Sequence, residues 1–342
     1  MIILTQAFAR IRLRSFLGWM LLGGFGVMVP AQLLADTGLI TQATVDILLD
    51  TLVMFAFPLL WLYEKGRRQK AELSAFYRKP APFPWKLVAV ATVIVMLFST
   101  GISIVQFHIL SYLIPEEWLG LLADPGVMDE SSAAMAVFSA ISVCVFAPIM
   151  EETIFRGFFL QRMTHKWGVK RGVVFSSVLF GLGHADVIGA TVFGLLMCLL
   201  YVKTKSLLPG MAVHALNNAI VSALLLGGGS SGAGEEISRA DFQSTTELAI
   251  AIALLVVSLL WLVPFFRKQW RFMKDQGLPL IPSAYAEAAA GVYSQVVITE
   301  RHMAVELPDE VVQQLGLEEE DYVHLEVEDG RVIVTKARGR IS

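Results

Sequence analysis

The feature that most constrains this chain is a succession of long apolar runs, each wide enough to cross a lipid bilayer and separated from the next by a short polar loop. Inside hydrocarbon every backbone amide must be satisfied within its own segment, so such runs fold as helices. About eight are readable, at roughly residues 16–34, 46–62, 87–114, 133–160, 172–185, 188–202, 207–226 and 248–266. The fifth and sixth are short. The first follows Arg10, Arg12 and Arg14 but lacks a small-residue cleavage site, so it reads as a retained helix and not a signal peptide. With 55% hydrophobic and 17% charged residues, a soluble enzyme is excluded. A net charge of −3 gives no reason to expect nucleic acid as a partner.

The cations order these runs. Arg10 to Arg14, Lys65 to Lys86, Arg162 to Arg171, Lys203 with Lys205, and Arg267 to Lys274 fall on one side, whereas the opposite loops at 36–44, 115–132 and 227–247 hold only Arg239. Cytoplasmic loops carry the excess of Lys and Arg. The expectation is a multi-pass, all-α bundle of about eight transmembrane helices in a plasma membrane, most simply a prokaryotic one, with both termini cytoplasmic. Cys144 and Cys198 both lie within apolar runs and read as small core residues.

Three charges nevertheless sit deep in the fourth run, in Glu151-Glu152-Thr153-Ile154-Phe155-Arg156. Ionisable groups at membrane depth are costly and mark functional or paired positions. At helical spacing Glu152 and Arg156 share a face while Glu151 points about 100° away, so one carboxylate is tied to the guanidinium and its neighbour left available. Phe180 and His184 are four apart in the next run, in Phe-Gly-Leu-Gly-His, whose glycines let a neighbouring helix approach closely. His214 and Asn218 are four apart in the seventh. Counted from the cytoplasmic cations, Glu151, His184, His214 and Asn218 lie roughly 14 to 20 Å deep, near the middle of a core about 30 Å thick.

Glu-Glu-x-x-x-Arg at 151–156, Phe-x-x-x-His at 180–184 and His-x-x-x-Asn at 214–218, in that order in successive apolar runs, resemble the CPBP family: CAAX prenyl endoproteases and bacteriocin-processing or immunity (Abi) proteins. The resemblance covers about residues 132–226 of a membrane domain spanning 1–274. It implies a glutamate-dependent intramembrane endopeptidase acting on a membrane-embedded or lipidated peptide or protein. Glu151 with His184 would activate water, His214 with Asn218 would stabilise the tetrahedral oxygen, and Glu152, Arg156 and Phe180 would support the site or hold substrate. No cofactor is implied. Two histidines and a glutamate are also a zinc ligand set, so Glu151, His184 and His214 stand as an alternative zinc site. A non-catalytic immunity, abortive-infection or scaffold protein is the other class left open.

Other polar residues have plainer readings. His108 reads as a hydrogen-bonded core residue and His165 as a solvated one. Asp46 and Asp50, one turn apart, read as capping or interface residues, with a bound cation as the alternative. Pro148 removes an amide just ahead of the carboxylates.

Beyond residue 274 the composition changes. Residues 275–294 read as a linker and 295–342 as a small α+β module: a strand over 296–307, a short helix from Pro308 to Leu315, and a hairpin about Asp329-Gly330. This tail is similar to AbrB/MazE-type swapped-hairpin domains, which implies a homodimer. Its 11 acidic against five basic side chains disfavour DNA binding.

Overall fold

The computed structural model describes residues 11–69, 73–123, 133–227 and 238–275, together with four short strands near the C-terminus. The chain divides into two compact units, Met1–Pro282 and Ser283–Ser342. The glycine-rich stretch after Gly227, the linker and the short helix expected from Pro308 lie outside the described residues.

The first unit is a helical membrane protein. Its elements are α1 (Leu13–Asp36), α2 (Gln42–Arg68), α3 (Trp85–Leu110), α4 (Glu116–Ala123), α5 (Ala134–Trp167), α6 (Val169–Gly181), α7 (Val187–Thr204), α8 (Leu208–Gly227), α9 (Arg239–Phe242) and α10 (Thr245–Asp275). Six of them, α1, α2, α3, α5, α7 and α10, are long and apolar enough to cross a membrane. The expected count of eight is therefore corrected among the described residues. The fifth run forms only the 13-residue α6, and the seventh is a shorter apolar helix, Leu208–Leu224. The cause in α6 is local: the chain leaves the helix at Leu182 for a polar turn that ends at Asp186, whose carboxylate caps α7 by accepting from the Gly189 amide at 2.9 Å.

The helices pack as neighbours along the chain and across it: α6 lies against α7, α3 against α7, α8 and α10, and α5 between α2 and α8. α7 is the central element. Leu196 through Val202 are all about fully buried, although outside-facing helices such as α1 expose most of their apolar side chains. Exposed leucine and phenylalanine are expected where the surrounding solvent is lipid. Close approach of α6 and α7 depends on small residues: a Cβ on Gly181 would lie 2.7 Å from the Val187 carbonyl oxygen, and one on Gly194 would lie 3.1 Å from Ser177.

Two helices contain π-helical segments, which insert an extra residue and shift every side chain that follows. In α2 the segment is Leu49–Ala56; in α5 there are two, Ser142–Phe146 and Thr153–Phe159. Proline explains where two of them stop. Pro58 and Pro148 stand at the second position of the α-helical stretch that follows, where a missing N–H is tolerated.

In the second unit, Val323–Glu328 (β3) pairs antiparallel with Arg331–Lys336 (β4), Glu328 opposite Arg331, the pairing expected of a hairpin about Asp329-Gly330 in the sequence. The single strand expected at 296–307 is instead two, Val296–Ile298 (β1) and Met303–Val305 (β2), paired antiparallel. The polar Thr299-Glu300-Arg301-His302 divides that apolar run.

Candidate active site

Glu152 and Arg156 are the most deeply buried charges near the centre of the bundle, at 1% and 0% exposure. The guanidinium donates to Glu152 Oε1 at 2.8 Å and to the Gly194 carbonyl at 3.2 Å, and it lies over the Phe180 ring with 4.5 Å to the centroid. A buried charge is tolerated only when it is paired and hydrogen-bonded, and each of these contacts answers that requirement. Glycine at 194 lets the guanidinium reach α7's backbone, since a Cβ there would crowd it at 3.4 Å.

His214 of α8 joins the same group. Its Nδ1 lies 3.1 Å from Glu152 Oε1, and because a carboxylate accepts, Nδ1 carries the hydrogen. Nε2 is thereby turned to Glu151, 3.8 Å from Oε2. That oxygen is buried and has no hydrogen-bond partner, whereas the side chain as a whole keeps 19% exposure. The π-helical shift after Thr153 leaves the geometry of the preceding turn intact, so Glu152 faces inward and Glu151 faces α2. Glu152 is thus the engaged carboxylate, and Glu151 keeps an oxygen without a hydrogen-bond partner.

Phenylalanines fix the imidazoles. Phe193 meets His214 edge-on at 4.9 Å and Phe180 stacks on Phe193 at 5.8 Å. Phe180 also packs against His184 at 4.5 Å. His184 does not lie on α6, as its spacing from Phe180 suggests, but just past the helix end, where Nδ1 donates at 2.9 Å to the Phe180 carbonyl, which also accepts from the Gly183 N–H at 3.1 Å. It is exposed, and its Nε2 lone pair is free in the neutral form. The turn carrying it is held from α3 by Gln106, which donates to the Ala185 carbonyl at 3.1 Å.

Asn218 has a local duty. In a π-helical register the Val143 carbonyl would accept from residue 148, and Pro148 has no N–H to give. Asn218 Nδ2 supplies the missing donor at 2.8 Å, while its Oδ1 accepts from Asn217 at 3.3 Å. The other hydrogen of that amide has no acceptor among the described residues. Glu151, Glu152, Arg156 and His214 are therefore brought together, Phe180 links them to His184, and Asn218 lies on the α5 side of the cluster.

Glu151, His184 and His214 do not assemble a metal ligand set. Among the described residues no three of His, Cys, Asp or Glu are grouped closely enough to hold an ion.

Sequence reasoning did not find the remaining contributors. Tyr77, in the short 3₁₀ turn Leu73–Tyr77, meets Thr153 Oγ1 at 2.7 Å, and Thr153 donates to the Ile149 carbonyl, which braces α5 beside the carboxylates. Ser176 donates to the Phe155 carbonyl at 2.8 Å. A cleft of about 220 Å³ opens beside Glu151, lined by Asp50, Met54, Phe55, Ser142, Phe146 and Met150 among others. The adjacency of α2 to α5 that forms it has no signal in either segment alone.

His108 donates from Nδ1 to the Phe242 carbonyl at 2.9 Å, the hydrogen-bonded role its sequence suggests. No curated protein and no solved structure matches the chain. Residues 133–220, from the start of α5 to the middle of α8, match the family of Type II CAAX prenyl endopeptidases, Rce1-like, and that span holds Glu151, Glu152, Arg156, Phe180, His184, His214 and Asn218.

Proposed function

We propose that the chain is an intramembrane endopeptidase in which Glu151 removes a proton from the attacking water. The observation that carries this reading is the buried, unpartnered Oε2 of Glu151, beside a histidine already oriented by Glu152 and open to a cleft. A carboxylate is kept in such a position at a cost, and general-base work is what it suits.

The steps use the chain's own groups. Glu151 takes a proton from water as the water oxygen bonds to the scissile carbonyl carbon. Negative charge gathers on the former carbonyl oxygen, and His214, through Nε2, with the second Nδ2 hydrogen of Asn218, donates to it. The C–N bond then breaks, and Glu151 returns the proton to the departing amine. His184, through Nε2, is the second group able to hold the water. Glu152 and Arg156 position His214 and Phe180 and do not touch substrate.

The family match supports membrane-associated, prenylated proteins as the substrate class, and bacteriocin or peptide processing is the alternative the sequence motifs leave open. The acidic tail favours a second copy or a protein partner over nucleic acid. Comparison of new peptide termini in membranes holding wild type or Glu151→Gln tests the proposal: termini that depend on Glu151 are expected, and their absence returns the chain to the non-catalytic class.

A further inference from the structure

Among the described residues Asp50 has no counter-charge within ion-pair distance. It lies eight residues into α2, about 12 Å from the end at Gln42, in a helix otherwise apolar enough to cross the membrane. Its recorded polar contact is a long bond of 3.4 Å from the Ser142 hydroxyl. Asp46 stands one turn earlier and accepts from Gln42 at 3.4 Å, so a second negative charge faces the same way. Every lysine and arginine of the loops on that side reduces to Arg239, which is already engaged with the Ser111 and Ile114 carbonyls while its backbone N–H donates to Glu116 at 2.6 Å. An ionisable residue at membrane depth calls for a partner, and among the described residues no cation supplies one.

The place of Asp50 defines that partner. The cleft of about 220 Å³ between the π-helical segments of α2 and α5 has Asp50 and Ser142 among its lining residues and Glu151 too. Ser142 and Glu151 are nine residues apart on α5, which is about 13 Å of helix. An extended peptide covers that distance in about four residues at roughly 3.3 Å each. Met54, Phe55, Phe146 and Met150 supply apolar walls, and Phe55 stacks on Phe146 at 4.6 Å to close one of them.

We infer that this cleft is the substrate groove and that Asp50 is a specificity-determining residue, selecting a cationic side chain, lysine or arginine, about four residues from the scissile bond. The inference rests on the proteolytic reading of Glu151. A carboxylate at the same place is repelled, which sets this groove against acidic segments.

The test uses the full-length protein in proteoliposomes and three membrane-inserting peptides that carry Lys, Gln or Glu at the fourth position on either side of the cleaved bond. Wild type is expected to cut the Lys peptide at least tenfold faster in kcat/KM than the Gln peptide, with the Glu peptide slowest. Asp50→Asn is expected to bring Lys and Gln within about twofold, Asp50→Glu to keep the preference, and Asp50→Lys to favour Glu. Cleavage that needs Glu151 but shows the same ratios in wild type and Asp50→Asn overturns this inference and leaves the protease standing. Cleavage of none of the peptides by wild type, or cleavage untouched by Glu151→Gln, overturns both.

Discussion

At the scale of single residues, the cluster is built around unequal carboxylates. Glu152 is held by Arg156 and by His214, and both partners are nearly out of reach of solvent. Removing it strands a guanidinium at 0% exposure, and breaking a buried pair this way costs about 3–5 kcal/mol. Glu152→Ala is therefore expected to lower the melting temperature in detergent sharply, whereas Glu151→Gln, at an oxygen with no hydrogen-bond partner and only a 3.8 Å contact to His214, leaves it within a few degrees. Thermal unfolding of the two purified variants side by side checks this. Much of the grouping was legible in the sequence, because charges in an apolar run are few and helical spacing ties Glu152 to Arg156. The position of His184 was not. It lies beyond the end of α6, and four-residue spacing cannot distinguish a helical neighbour from a side chain folded back onto the last carbonyls.

At the scale of elements, the π-helical segments decide which groups meet. Pro148 was visible as a missing amide, but its consequence was not: the extra residue moves the orphaned acceptor to Val143, and Asn218 of another helix satisfies it. Asn218→Ala leaves that carbonyl unpaired and costs about 1–3 kcal/mol. The same substitution in a Pro148→Ala background, where residue 148 regains an N–H, is expected to cost measurably less. A double-mutant cycle of chemical denaturation reads the difference, and strict additivity contradicts the assignment.

The C-cap of α7 gives a second test at this scale. Lys205 sits there at φ 54, in the left-handed region that favours glycine, and burial pushes its amine down to about 8 from 10.5. Below pH 8 the folded protein carries the whole penalty of a poorly hydrated ammonium, and that penalty fades as pH rises from about 8 towards 10.5. Lys205→Gly is thus expected to raise the melting temperature, with a larger gain at pH 7 than at pH 10. Equal gains at both values would leave only the backbone effect.

At the scale of the whole molecule, the apolar runs and the segregation of cations make the membrane class plain from the sequence alone. The count of crossings was less secure, since a run such as 172–185 has the composition of a span but only the length of a short helix packed beside α7. The cleft between α2 and α5 was illegible for another reason. It arises from the pairing of two distant helices, and Asp50 and Glu151 are read separately until that pairing is known. The central claim is that Glu151 activates water inside the membrane. It is tested most directly by the cleavage rate of one Glu151-dependent substrate in proteoliposomes, measured for wild type and Glu151→Gln at equal reconstituted protein. Loss of a general base predicts a fall in kcat of about 10²-fold or more, with the melting temperature kept; a rate within a few-fold of wild type would contradict the account.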